Sequence, residues 1–176
     1  NSKLYSGVTM LSWRKLPSIP DPIGVAGPFA GVSGDALIVA GGANFPDKMP
    51  WEGGKKVWHD TVFVLDATNG QWRTSLKLPR PLGYGVSLTT TEGVLCIGGS
   101  DATQHVCEVF LLCWKHGELK SKPLPPLPRP LANSCGAVLG HTVYVAGGTA
   151  MPDATNAMKN FWALDFTRPG SKWREL

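Results

Sequence analysis

The chain has 176 residues, 43% of them hydrophobic, with 21 glycines, 15 prolines and a formal net charge of +4. That is enough apolar material for a packed core and excludes a disordered chain. No apolar run approaches the roughly 18 residues of a membrane-spanning helix, and the basic residues are scattered singly apart from Lys55-Lys56, which argues against a nucleic-acid partner.

The first element is a Trp and Leu-Pro segment, WRKLPSIP, from Trp13 to Pro20. A small glycine-rich strand follows, VAGPFAGVS from Val25. Next comes an apolar strand, Leu37-Ile38-Val39-Ala40, which stops at the pair Gly41-Gly42. A long loop over 43–59 leads to another apolar strand, DTVFVLD (Asp60 to Asp66), and a turn at Asn69-Gly70 leads to Trp72. The same order then repeats. WRTSLKLPRP precedes GYGVSLTT, VLCIGGS and CEVFLLC. LPPLPRP precedes NSCGAVLG, VYVAGGT and NFWALDF, and a turn at Pro169-Gly170 leads to Trp173.

The glycine pairs begin at 41, 98 and 147, so the intervals are 57 and 49 residues, the longer one carrying the longer loop. A period near 50 with four strands per unit predicts a kelch-type β-propeller, an all-β fold of radial sheets. Helices are excluded because the β-branched runs are cut every few residues by Gly or Pro. The expected blades are approximately 13–71, 72–120 and 121–172, with 173–176 starting a fourth. Propellers close with about four to eight blades. The chain begins with Asn, so a leader removed in processing or a longer parent protein is expected; a segment of a longer ring is preferred over copies that assemble to complete one.

A recurring strand ending in two glycines points to close backbone approach and positive φ near the propeller centre. In such a blade, the loops joining strands two and three share one face with the links into the innermost strands. These segments, 43–59, 100–106 and 149–159 with 20–25, 79–84 and 128–134, form one mouth, where binding is expected.

The mouth supplies Asn44, Tyr84 and Asn133 as binding candidates, with Arg80 and Arg129 in matching LPRPL contexts. Two such arginines aimed into one pocket would hold a carboxylate by bidentate bonds, while a single one reads as a turn stabiliser. Glu52, Lys56, His59, Asp101 and His105 are expected to line the same mouth, the two histidines reading first as ordinary loop residues. The PWEGGKK loop lacks the spacing of a phosphate loop. The four cysteines, Cys96, Cys107, Cys113 and Cys135, show no metal-ligand spacing. No metal site and no catalytic triad can be read from the spacing, and the catalytic acid and base stay unassigned.

The tracts GVAGPFAGVSGDALIVAGGANF (Gly24 to Phe45) and RPLGYGVSL (Arg80 to Leu88) resemble the sialic acid mutarotases, also called N-acetylneuraminate epimerases. The order of the blades resembles a cyclically permuted branch of that family. The resemblance implies a six-bladed kelch propeller. It implies an isomerase that converts the α anomer of N-acetylneuraminate to the β anomer without a cofactor. It also implies export to the periplasm or secretion. The small-molecule partner would be a sugar acid, and the missing blades would come from the same protein or another copy. On this resemblance, Asn44, Arg80 and Tyr84, and then Arg129 and Asn133, are substrate-binding residues; no catalytic pair carries over. The competing class is a kelch module that binds a protein or a sialylated glycan without turnover.

Overall fold

The structure is a computed structural model that describes residues 12–66 and 70–176; the expected turn at Asn69-Gly70 lies partly outside the described residues. It is built of antiparallel strands, with a single short 3₁₀ turn at Pro50–Glu52. The first four-stranded sheet contains β1 (Phe29–Ser33), β2 (Ala36–Ala40), β5 (Thr61–Asp66) and β6 (Trp72–Lys77). The strands β3 (Ala43–Asn44) and β4 (Val57–Trp58) pair as a small hairpin in the loop between β2 and β5. The second sheet is β7 (Val86–Thr90), β8 (Gly93–Ile97), β9 (Val109–Lys115) and β10 (Glu118–Pro123). The third is β11 (Cys135–Leu139), β12 (Thr142–Ala146), β13 (Phe161–Asp165) and β14 (Arg174–Glu175). Among the described residues, no helix is long and apolar enough to cross a membrane.

Each sheet runs in sequence order from an inner to an outer strand, as in a kelch-type β-propeller. The inner strands pack together, β1 against β7 and β7 against β11. In the middle sheet a neighbouring sheet covers each face, so β8 is apolar throughout and buried from end to end, whereas β12 of the third sheet is buried only at alternate positions. One core, with Phe29, Ile38, Val94 and Leu112, fills the wedge between the first two sheets. A second, with Leu95, Ile97, Val143 and Trp162, fills the next wedge. The open edge of β1 is satisfied by the second sheet: Ala30 and Val32 donate their N–H groups to the hydroxyls of Ser87 and Thr89 at 3.1 and 3.0 Å.

The sheets are offset from the expected blade limits. Residues 72–77 form the outer strand of the first sheet, not the opening of the second. Likewise Arg174–Glu175 pairs with β13 and completes the third sheet, so 173–176 does not start a fourth. The tryptophans explain the shift. Trp72 packs edge-on against Phe63 of its own sheet and donates its indole N–H to Pro17 O, while Trp173 donates to Pro125 O. Each therefore clips an outer strand to the preceding Leu-Pro link.

Candidate functional site

The loop after Gly41-Gly42 carries Glu52, Lys56 and His59, three of the residues expected to line the mouth. Its hairpin β3–β4 sends residues 45–56 out and back. Glu52 is spent on this local structure, since its Oε2 accepts the Met49 N–H at 3.1 Å and anchors the 3₁₀ turn. The returning strand lays the Lys56 ammonium against three aromatic rings. Its Nζ lies 4.8 Å from the Tyr84 centroid, 5.2 Å from Trp58 and 5.7 Å from Phe45. Such contacts hold a cation without neutralising it. Lys56 makes no ion pair among the described residues.

Asn44 and His59 form a coupled pair beside this box. The Asn44 Nδ2 donates to Gly24 O at 2.9 Å, which fixes the amide so that Oδ1 faces the ring of His59. His59 Nε2 sits 2.8 Å from that oxygen and therefore carries the proton and donates it. Gly24, Asn44, Phe45, Met49 and Tyr84 line a hollow of about 410 Å³.

The backbone aims the next residues. Gly27, Tyr84 and Asn133 open equivalent inner strands, and all three hold positive φ, at 61°, 60° and 55°. They are joined in series: the Tyr84 N–H donates to Gly27 O at 2.7 Å, and the Asn133 N–H to Tyr84 O at 2.9 Å. Non-glycine residues in this region are strained, and such strain gathers at functional sites. Asn133 Nδ2 reaches Thr149 Oγ1 at 3.4 Å, and His105 Nε2 meets the same hydroxyl at 3.1 Å. His105 is only 6% exposed and its Nδ1 has no partner. Burial pulls its pKa below the ordinary histidine value, so the ring is neutral at neutral pH.

The two arginines do not converge. Arg80 donates to Asp101 and, at 3.1 Å, to Glu108, in a groove shared with Phe110 and Pro123. Asp101 is itself committed, its Oδ1 accepting the N–H groups of Thr103 at 2.8 Å and Gln104 at 2.9 Å. Arg129 lines a different hollow, with Asn160 and Glu175. The expectation of one carboxylate pocket with two arginines therefore fails, because the matching LPRPL contexts belong to successive wedges. Asn44, Lys56, His59 and Tyr84 come together, and Asn133 joins His105 through Thr149. Sequence reasoning does not single out Phe45, Trp58 or Thr149. Thr149 had a signal, as the residue after its glycine pair. The aromatic pair had none, because their meeting depends on how the loop returns.

Comparison with known proteins gives these residues a context. Residues 2–120 match the sequence model of a family described as N-acetylneuraminate epimerase. An N-acetylneuraminate epimerase of Yersinia pestis (strain Pestoides F) is 40% identical over 109 residues, covering 54% of this chain and 26% of that protein. One from Yersinia enterocolitica is 37% identical over 128 residues, covering 63% and 32%. One from Brucella suis is 38% identical over 119 residues, covering 58% and 30%. The chain thus spans about a quarter to a third of the length of these relatives. A solved structure titled "Structure of YjhT" is 34% identical with a TM-score of 0.58, covering 67% of this chain and 36% of that one.

Proposed function

The chain belongs to the N-acetylneuraminate epimerase family, and from that membership we propose that it supplies the sugar-binding mouth of an enzyme interconverting the α and β anomers of N-acetylneuraminate. The remaining blades of the ring come from the same protein or from another copy. The observation that carries this reading is the cluster of Asn44, Lys56, His59 and Tyr84, which lies inside the matched residues; Asn44 and Tyr84 line a hollow of about 410 Å³, and His59 and Lys56 back them through the Asn44 amide and the Tyr84 ring. That size suits a small-molecule site.

The reaction is an isomerisation with no net redox change. A base takes the proton of the anomeric hydroxyl. The bond from the anomeric carbon to the ring oxygen breaks, its electrons stay on that oxygen, and an acid protonates it. Rotation of the open keto acid and reclosure on the other face give the second anomer. This chain's part is to bind and orient. The Lys56 ammonium, which pairs with no carboxylate among the described residues, faces the sugar carboxylate. His59, held by Asn44, and the Tyr84 hydroxyl address sugar hydroxyls.

The test follows the anomer ratio by NMR after a sialidase releases the α anomer in the presence of the full chain. Relaxation faster than in buffer supports the enzyme, and Lys56→Met is expected to weaken sugar binding about tenfold, the scale of one charge-assisted contact. A second reading, sialylated-glycan binding without turnover, is favoured by the fact that Glu52 and Asp101 are both tied into local hydrogen bonds. It is upheld if the anomer ratio relaxes at the buffer rate while sugar shifts still saturate.

A further inference from the structure

The internal repeat lets one wedge be compared with the next. The first glycines of two pairs, Gly98 and Gly147, donate to the carbonyls of Glu108 and Asn160 at 2.8 and 3.3 Å. Glu108 and Asn160 each precede the third strand of their sheet, so they are equivalent. The carbonyls of Leu82 and Leu131 accept from Gly42 and Gly99, the second glycines of the preceding pairs. Counting back two residues makes Arg129 the counterpart of Arg80. Ser100 and Thr149 bridge to Gly83 and Ala132, so Asp101 corresponds to Ala150.

The chemistry at these matching places differs sharply. Arg80 is neutralised by Asp101 and Glu108. In the third sheet both carboxylates are replaced, by Ala150 and Asn160. Arg129 consequently has no ion pair or hydrogen bond among the described residues. The Asn160 side chain is 7% exposed, yet neither its oxygen nor its nitrogen has a partner. A buried amide without hydrogen bonds is unfavourable and marks a place where a partner is missing. Both residues line one hollow of about 320 Å³, together with Lys159, Trp162 and Glu175.

We propose that this hollow binds a small monocarboxylate from solution, which takes the place that Glu108 fills beside Arg80. The Arg129 guanidinium donates to the carboxylate oxygens, and the Asn160 amide donates to one of them. Arg129 and Lys159 against Glu175 leave one net positive charge, which matches a monoanion better than a dianion. The site lies beyond residues 2–120, the part matched to the family, and does not rest on the epimerase reading.

The experiment is a ¹⁵N NMR titration of the full chain, read at the Asn160 side-chain amide and the Arg129 Nε–H. Sodium acetate is the probe and sodium phosphate the comparison. Acetate is expected to give saturable shifts with a Kd on the order of millimolar, and phosphate weaker ones. Arg129→Gln should weaken the acetate response at least about tenfold, the scale of a lost charge-assisted bond. Asn160→Glu restores the carboxylate present beside Arg80, so it should abolish acetate binding while the backbone spectrum stays folded. Shifts that never saturate, unchanged acetate binding by either variant, or phosphate binding as tightly as acetate would each overturn the proposal.

Discussion

Gly27 shows how one missing carbon sets the place of the Tyr84 ring. A Cβ there would stand 2.6 Å from Tyr84 Cδ1 and 2.8 Å from Cε1, and the residue's φ of 61° disfavours a side chain as well. Gly27→Ala must therefore push the Tyr84 ring away from Lys56 and Trp58. It is expected to cost about 1–3 kcal/mol of stability by urea denaturation, the range for overpacking, and to weaken sugar binding. Unchanged stability would mean that the Tyr84 ring moves freely. His105 carries a separate expectation. Burial disfavours its charged form, so the unfolded chain binds the proton more readily. The associated stability is complete above the unfolded-state value of 6.5 and is lost as pH falls from there through the lower folded value. Melting temperature should fall between neutral and mildly acidic pH, and His105→Gln should flatten that slope. An equal slope in the variant would place the titrating group elsewhere.

At the scale of strands, the glycine pairs separate two roles that the sequence alone cannot distinguish. Gly41 and Gly98 have positive φ, and an added Cβ would lie 2.0 Å from Leu82 O and 2.3 Å from Leu131 O. Gly147 has the same φ region but meets nothing within 4 Å. Alanine at Gly41 or Gly98 must shift backbone in the next wedge, whereas alanine at Gly147 bears only conformational strain. The expected losses, measured by denaturant unfolding, are above about 3 kcal/mol for the first two and about 1–2 kcal/mol for the third. Equal losses would refute the wedge contact as the reason for the pair. The pairs and the apolar strands beside them were legible because burial on both faces leaves a strong apolar run, as in β2 and β8. The outer strands were not. WRTSLK and ELKSKP are mostly exposed and polar, so nothing in their pattern assigns them to the preceding sheet. The same limit applies to the site. The placement of Tyr84 and Asn133 just before an inner strand was readable. The separation of Arg80 from Arg129 was not, because it depends on which wedge each link enters.

Across the whole molecule, hydrogen bonds between wedges tie the sheets into one unit. Gly42 and Gly99 donate to Leu82 O and Leu131 O, and Tyr84 and Asn133 continue the series from Gly27 O. None of these bonds can open without parting neighbouring sheets and exposing the cores that hold Ile38 and Leu95. Their amides should therefore exchange with solvent only through global unfolding, at a common slow rate. The N–H of Gly148 occupies the same place in its pair but has no such carbonyl among the described residues. Hydrogen exchange followed by NMR should show Gly148 exchanging at least about 100-fold faster than Gly42 and Gly99. If Gly42, Tyr84 and Asn133 exchange as fast as Gly148, each sheet opens on its own. A mouth assembled from successive wedges would then lack the rigid support that holds Tyr84 over Gly27 and Asn133 beside Thr149.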